Sequence, residues 1–203
     1  VNALDLKREL KEWGCTFSST SDSELIAHLI SNAPANEWAD RIAYCIRRVQ
    51  GAYSLTFMTK DLLFGVRDPL GVRPLCIGKL NDGWVIASET CALDHIGADF
   101  LREVEPGEAV MVDDQGLRTI YQKEPDRNRA SCVFEHIYFA RPDSVLDGKL
   151  IYTNRMAMGA ELAKEYPVEA DMVIGVPDSA TAAAVGYSQA SGIPYGEGLV
   201  KNR

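Results

Sequence analysis

Apolar residues recur at helical spacing in three segments near the start of the chain. These segments lie at about 3–13, from Ser21 to about 31, and at about 37–49. Apolar positions three and four residues apart lie on one face of a helix. Ser21 followed by Glu24 also has the spacing of a capping box, which marks the start of a helix. The pattern therefore predicts three helices, each with one buried face.

Between residues 51 and 121 the pattern changes to short runs of strand-forming residues. Turn sequences such as Asn81-Asp82-Gly83 and Glu105-Pro106-Gly107 separate these runs. Some runs alternate between apolar and polar residues and others are apolar throughout, which favours stacked antiparallel sheets with helices on an outer face. Residues 68–74 form a predicted turn whose charges are expected to be structural. Strands are predicted at 52–59, 62–67, 73–77, 84–88, 109–112 and 117–121.

A different organisation begins after about residue 132, beyond a polar segment at 122–131 that we interpret as a connector. The predicted elements are a helix at 152–165, an apolar strand at 171–176, a helix at 179–190 and a strand within 193–200. A strand–helix–strand unit predicts a parallel sheet with a right-handed crossover. A wholly apolar strand predicts burial on both of its faces.

Composition and charge narrow the class of protein. Of the 203 residues, 46% are hydrophobic and 25% are charged, as in globular proteins with a substantial core. The net charge is −8, and the absence of a basic stripe argues against a nucleic-acid partner. No apolar run approaches the ~20 residues of a membrane-spanning helix. The five cysteines include no CxxC pair, which favours a reducing, cytoplasmic location over a secreted disulfide framework.

Polar residues follow both strands of the predicted strand–helix–strand unit. Asp178 and Ser179 come directly after the first strand, where ligands bind in open parallel sheets. Backbone amides at a helix start favour anions, and oxygen side chains there can reach a metal ion or its water shell. Lys201, Asn202 and Arg203 follow the second strand and offer donors suited to a pyrophosphate. The alternative, from residue types alone, is a helix cap beside a solvated basic turn.

Two other candidates also have structural alternatives. Asp22 lies in the first turn of the second predicted helix, where a carboxylate complements the helix dipole. In a functional interpretation, Asp22 instead holds the ammonium group of a bound amino acid. Cys132 lies near the predicted connector, and a metal or cluster site there would need partner cysteines. The three histidines are scattered, so no zinc site and no Ser-His-Asp triad is predicted.

Taken together, these segments resemble a known enzyme family. The stretches 1–10, 20–24, 67–75 and 87–92 look like class II (N-terminal-nucleophile) glutamine amidotransferases. Those stretches alone would also fit glucosamine-6-phosphate synthase or asparagine synthetase. The later stretches, at 103–108, 138–144, 175–179 and 198–203, resemble the amidophosphoribosyltransferases.

The resemblance implies an α+β fold followed by an α/β fold. Residues 1–131 would be the C-terminal part of a type 2 glutamine amidotransferase domain with αββα layers. Residues 132–203 would be a linker and the N-terminal part of a type I phosphoribosyltransferase domain with a parallel sheet. The nucleophilic cysteine would precede Val1 and the acidic substrate motif would follow Arg203. We therefore expect no catalytic residue in this segment, and neither activity nor stable folding from the segment alone.

The resemblance also implies a reaction and roles for individual residues. Ammonia released from glutamine would displace pyrophosphate from phosphoribosyl pyrophosphate (PRPP), giving 5-phosphoribosylamine at the first committed step of purine synthesis. By family match, Asp22 binds the α-amino group of glutamine, and Lys201, Asn202 and Arg203 receive pyrophosphate. The alternative is a non-catalytic regulator of the same fold that binds PRPP or nucleotides.

Cofactors and partners follow from the same resemblance. Ser179 matches a Mg²⁺ position, and Asp178 is its neighbour in the loop. Cys132 matches the first ligand of a [4Fe-4S] cluster found in one subgroup, whereas other members carry a cysteine there without a cluster, so both alternatives stay open. Purine nucleotides are expected as feedback inhibitors, and the protein is expected to form homo-oligomers.

Overall fold

The computed structural model describes residues 2–123 and 130–202, and its internal contacts divide the chain into two units. The first unit consists of Val1–Ile77 and Arg102–Ser131, and the second of Gly78–Leu101 and Cys132–Arg203. The second unit thus includes residues before the predicted domain boundary at 131, and that boundary stays a prediction. The predicted connector begins inside a strand that ends at Gln122, and its residues 124–129 lie outside the described residues.

Most of the predicted elements are present. The helices are α1 (Ala3–Glu12), α2 (Asp22–Ser31), α3 (Trp38–Arg48), α4 (Thr90–Ile96), α5 (Ile151–Glu165) and α6 (Thr181–Ser191). The strands are β1 (Ser54–Met58), β2 (Leu63–Arg67), β3 (Cys76–Leu80), β4 (Gly83–Ala87), β5 (Asp99–Glu103), β6 (Glu108–Asp113), β7 (Gly116–Gln122), β8 (Val145–Leu146) and β9 (Lys149–Leu150). A single π-helical turn covers Glu135–Phe139. The sequence did not predict α4, β5, β8, β9 or the π-helical turn.

The first unit is built on a four-stranded antiparallel sheet in the order β1-β2-β6-β7. Strands β2 and β6 are neighbours although 40 residues separate their ends, and Val66 lies opposite Ala109 in their register. A register shift in the β6–β7 pairing at Ala109/Val110 lets this sheet bend. The sheet therefore brings distant parts of the chain together.

Helices α1, α2 and α3 share one apolar core with this sheet. Leu10, Leu29 and Ile42 come from the three helices and pack in the same cluster as Phe64 of β2 and Ala109 of β6. Phe64 has no exposed surface, and burying a side chain of this size contributes about 1.5–3 kcal/mol. The stripe of α2, which buries Leu25, Ile26, Leu29 and Ile30, is the one its periodicity predicts.

The turn after β2 has the structural role predicted from the sequence. The buried carboxylate of Asp68 accepts hydrogen bonds of 3.0 Å from the backbone amides of Leu70 and Val72. The guanidinium of Arg67 forms a 3.2 Å ion pair with Glu103 and donates to nearby carbonyls. Because these polar groups are satisfied within the turn, its charges are structural.

In the second unit, helices α5 and α6 pack at very short range. Gly159 of α5 faces the backbone of Ala183, and Gly186 of α6 faces the backbone of Met156. A β-carbon at either glycine would overlap the opposing carbonyl group. Glycine at these two positions is therefore what allows the helix backbones to touch.

The predicted parallel pairing is present in a shorter form than expected. Val173 and Tyr195 form a parallel bridge. The amide of Val173 donates to the carbonyl of Pro194, and the carbonyl of Val173 accepts from the amide of Gly196. The expected burial on both faces is wrong for the described residues, because side chains at this strand are about half exposed. The exposed side chains are Met172, Ile174 and Val176. Within 130–202 this strand pairs through one bridge only, and the described elements cover only part of its faces.

Across residues 2–123 and 130–202, no helix combines the length and the apolar character that crossing a membrane requires.

Candidate functional site

The second unit contains an open cavity of about 730 Å³. One wall is the segment 138–143, which begins in the last residues of the π-helical turn. The other is the loop Pro177 to Ser179, which follows the strand that contains Val173. Arg155 of α5 and Lys201 complete the lining. The cavity therefore lies at the strand edge where the sequence placed a ligand.

Three of the predicted site residues lie at this cavity. The ammonium group of Lys201 is 3.3 Å from a carboxylate oxygen of Asp178, although 23 positions separate them in the chain. Both side chains are more than half exposed, so this ion pair adds little stability and can open when a ligand arrives. Ser179 lies beside Asp178 in the lining. Asn202 is exposed and is not part of the lining, and Arg203 lies outside the described residues.

The charged groups of the cavity suit an anionic ligand. Cations come from Arg141, Arg155 and Lys201, against the carboxylates of Asp143 and Asp178. Arg141 donates two hydrogen bonds to Asp143, at 3.0 and 2.8 Å. This pairing raises the pKa of Arg141 and lowers the pKa of Asp143. The forked guanidinium groups match the geometry of phosphate oxygens.

Arg155 is a lining residue that sequence reasoning missed. Its side chain is 2% exposed, and it donates to the carbonyls of His136 at 2.7 Å and Ala140 at 2.8 Å. Burial lowers the pKa of Arg155, although the guanidinium stays charged. The signal that could have revealed it is spacing. Every fourth residue of α5 is buried, and Arg155 is the charged member of that row: Ile151, Arg155, Gly159 and Ala163.

Glu89 is a second residue that the sequence did not single out. One oxygen of its carboxylate accepts hydrogen bonds from the backbone amide of Arg141 at 2.8 Å and from the hydroxyl of Ser144 at 2.7 Å. The neighbouring Thr90 accepts at its hydroxyl from the amide of Val145 at 2.8 Å. The start of α4 is thus bonded to the segment that forms one wall of the cavity.

Asp22, in the first unit, is the exposed first residue of α2. The predicted capping box is wrong in its hydrogen bonds: Ser21 accepts from the amide of Ser23, and Glu24 does not return to Ser21. Instead, the carboxylate of Glu24 accepts from the amides and hydroxyls of Ser18 and Ser19. The local reason is that these serines precede the helix and offer four donors within reach.

These hydrogen bonds change the acidity of Glu24. The backbone hydrogen bond from Ser18 is the largest cause, followed by the hydroxyls of Ser19 and Ser18, and together they lower the pKa of Glu24 to about 2. The segment that leads into Asp22 is therefore fixed by a carboxylate that stays ionised at neutral pH. A groove of about 390 Å³ in the same unit begins at Ser23 and is lined mainly by apolar side chains of α2 and β1.

Cys132 is half-buried, and among the described residues none of the five cysteines forms a disulfide bond. Among residues 2–123 and 130–202, no group of three or more His, Cys, Asp or Glu side chains could hold a metal ion. Cys132 would be one of the four cysteines that bind a [4Fe-4S] cluster, and its role as a cluster ligand stays a prediction. Asp178 and Ser179 offer two oxygen donors, which fit Mg²⁺ when substrate phosphates complete its coordination.

The cysteines inside the fold are poor candidates for nucleophilic chemistry. Burial raises the pKa of the Cys45 thiol to about 12, and burial also raises the pKa of Cys91. A thiol attacks as its thiolate, so a raised pKa leaves it unreactive at neutral pH.

Comparison with known proteins defines the class first. Residues 1–95 match the family described as glutamine amidotransferase domain. Two solved structures superimpose on the chain with TM-scores of 0.95 and 0.94, each at 46% identity and over 100% of this chain. They are described as the allosteric regulatory enzyme of purine biosynthesis and as a glutamine PRPP amidotransferase from B. subtilis complexed with ADP and GMP. The chain covers 43% and 44% of those two chains.

Sequence relatives then define the family. Amidophosphoribosyltransferases from Archaeoglobus fulgidus and Bacillus subtilis are each 46% identical to this chain, and that of Synechocystis is 50% identical. Each match covers 100% of this chain and 45%, 42% and 42% of the respective relative. Over its whole length the chain is similar to amidophosphoribosyltransferases, and it spans less than half the length of these relatives. The predicted resemblance and fold class are thereby confirmed.

Proposed function

We propose that the protein acts as an amidophosphoribosyltransferase, which converts glutamine, PRPP and water into 5-phosphoribosylamine, glutamate and pyrophosphate. This is the first committed step of purine synthesis. The observation that carries the proposal is the cavity of the second unit, where Asp178, Ser179 and Lys201 lie together with Arg141 and Arg155. Such a site suits a substrate with a pyrophosphate group. The relatives' names supply the reaction.

The glutamine-binding role falls to Asp22 in this proposal. An exposed carboxylate at the start of α2 can accept the ammonium group of an amino acid. The preceding serines hold the chain in place through Glu24, so Asp22 would be presented on a rigid element. Asp22 is proposed as a binding residue and not as a catalytic one.

In this proposal, the second unit binds PRPP and its pyrophosphate group. Lys201 would leave Asp178 and contact pyrophosphate oxygens, which would free the Asp178 carboxylate for the metal side of the site. Ser179 and Asp178 would then hold Mg²⁺ together with the substrate phosphates, and the ion would neutralise charge on the departing pyrophosphate. Asn202 and Arg203 are proposed as pyrophosphate ligands from their sequence positions alone.

The proposal also includes partners other than the substrates. One similar solved structure is described as complexed with ADP and GMP, which supports purine nucleotides as inhibitors of this protein. Homo-oligomer formation stays a prediction from the family resemblance, as does the cytoplasmic location. Cys132 as a cluster ligand also stays a prediction, and no step of the reaction is assigned to a cluster.

The first test is glutamate release from glutamine by the protein at its full encoded length, with and without PRPP and Mg²⁺. We expect release to rise when PRPP is present and pyrophosphate to form in step with it. Lys201→Ala should raise the KM for PRPP by about tenfold or more, because it removes a charged contact worth roughly 1.5–3 kcal/mol. Lys149→Ala, at an exposed lysine of β9, is the matched control.

Two results would contradict the proposal. Glutamate release that is indifferent to PRPP would indicate another class II amidotransferase. Absence of glutamate release together with PRPP or nucleotide binding would support the alternative, a non-catalytic regulator of the same fold.

A further inference from the structure

The cavity wall at 138–143 and the adjoining Ser144 have little regular secondary structure of their own. This segment begins at the end of the π-helical turn and runs to β8. The shape of such a segment depends on which groups satisfy its backbone. Its partners therefore decide where Arg141 and Asp143 lie at the cavity.

Carbonyl groups of this wall are held from α5. The amides of Ile151 and Tyr152, at the start of α5, donate to the carbonyls of Ser144 and Pro142, each at 2.9 Å. Further along α5, Arg155 donates to the carbonyl of Ala140 at 2.8 Å. Helix α5 thus holds three carbonyl groups of this segment.

Two donors of this segment are held by Glu89. A single carboxylate oxygen receives both the amide of Arg141 and the hydroxyl of Ser144, which is 2% exposed. These two groups lie at the two ends of the turn that carries the Arg141–Asp143 pair. The amide of Ser144 closes this turn by donating to the carbonyl of Arg141 at 3.0 Å. Glu89 therefore clamps the turn at both ends.

We propose that Glu89 is a positioning residue for anion binding in this cavity, because it holds Arg141 in the place where its guanidinium can meet a pyrophosphate group. The inference rests on the proposed function for the identity of the anion. Glu89 accepts from the amide of Arg141 and the hydroxyl of Ser144 and does not line the cavity, so it acts through Arg141.

The direction of the change in pyrophosphate affinity distinguishes a positioning role of Glu89 from a purely electrostatic one. A carboxylate beside a cationic cavity disfavours an anion. If Glu89 acted only through its charge, Glu89→Ala and Glu89→Gln would both strengthen pyrophosphate binding. A positioning role gives a different pattern, because the amide oxygen of Gln can take the place of the carboxylate oxygen and accept the same two hydrogen bonds.

The test uses the protein at its full encoded length and titrates it with magnesium pyrophosphate by calorimetry. We expect Glu89→Ala to raise the Kd about tenfold, whereas Glu89→Gln stays within about threefold of the unsubstituted protein. Thr90→Val is the matched control, since Thr90 bonds Val145 just outside the cavity wall. It removes a hydrogen bond from the same helix start and should leave the Kd unchanged.

Amide hydrogen exchange gives a second measurement that needs no ligand. Glu89→Ala should speed exchange at Arg141 and leave Val145 protected, and Thr90→Val should do the reverse. Unchanged exchange at Arg141 in Glu89→Ala would overturn the inference. Equal loss of pyrophosphate affinity in Glu89→Ala and Thr90→Val would also overturn it, as an effect of stability alone. If the unsubstituted protein binds no pyrophosphate while Arg141 still responds to Glu89→Ala, the proposed ligand is wrong and Glu89 positions a turn that serves no anion site.

Discussion

At the scale of single residues, this chain places carboxylates where backbone donors would otherwise be unsatisfied. Asp68 closes the turn after β2, Glu24 gathers the serines before α2, and Glu89 clamps the cavity wall. In each case a side chain ties together backbone that lacks a helical or sheet partner. Two of these carboxylates lie next to proposed substrate-binding residues.

Glu24 gives a pH prediction. Its folded pKa of about 2 lies below the ordinary value of 4.5, so its stabilising effect is present above pH 4.5 and is lost as the pH falls toward 2. We expect the side-chain carboxyl signal of Glu24 to titrate near pH 2 in NMR spectra. Glu24→Gln should lower the urea midpoint at pH 6, and the difference from the unsubstituted protein should shrink as the pH falls below 4.5.

The control for this prediction is Glu12→Gln, at an exposed position of α1. Surface substitutions of this kind usually change stability by less than about 0.5 kcal/mol. A Glu24 signal with a pKa near 4.5 would contradict the prediction, because it would show that Ser18 and Ser19 do not form these hydrogen bonds with the Glu24 carboxylate when the protein is in solution.

At the scale of elements, the α5–α6 pair depends on two glycines. Gly159→Ala would place a methyl group on the carbonyl of Ala183. In an open helix the same change stabilises by up to about 1 kcal/mol, whereas here overpacking should destabilise by about 1–3 kcal/mol or more. Urea denaturation followed by circular dichroism measures the difference. Met158→Ala, on the exposed face of α5, is the control.

A Gly159→Ala variant as stable as the unsubstituted protein would mean that α5 and α6 separate easily. Gly186→Ala provides an independent check, because its methyl group would meet Met156 on the other side of the same contact.

Some helices and strands were predictable from the sequence and others were not. The stripe of α2 was predictable because four apolar residues at helical spacing are all buried. Strand β5 was missed because its sequence, Asp99 to Glu103, mixes charged and apolar residues and its side chains are largely exposed. The seven residues of α4 are too few to show a helical period. Burial of the strand at 171–176 was wrongly predicted because apolar composition does not reveal which elements cover the two faces of a strand.

The candidate site was predictable only in part, for a related reason. Asp178, Ser179 and Lys201 were found because strand ends converge at one edge of a parallel sheet. Glu89 left no such signal, since its partners Arg141 and Ser144 are 52 and 55 positions away in the chain. A hydrogen bond between distant loops depends on tertiary structure and leaves no local pattern.

At the scale of the whole molecule, charge and exposed apolar surface set the behaviour in solution. The net charge of −8 falls to zero near the sequence pI of about 4.9. Repulsion between molecules then vanishes, while side chains such as Ile174, Val176 and Val200 remain exposed. We expect light scattering to rise sharply between pH 6 and pH 5 and to stay low at pH 8. Equal scattering at both pH values would contradict this.

The order of strands in the first unit has a consequence for synthesis on the ribosome. β1 pairs with β2 and β6 with β7 over short loops, but β2 meets β6 only after the 40 intervening residues have been made. Two separate hairpins would therefore emerge first and join edge to edge later. Because the entropy of closing a loop grows slowly with its length, the intervening segment can lengthen at little cost to the sheet. The turn at Asn81 to Gly83 is thus a natural place to insert a fluorescent tag and follow the joining of the hairpins as the chain is translated.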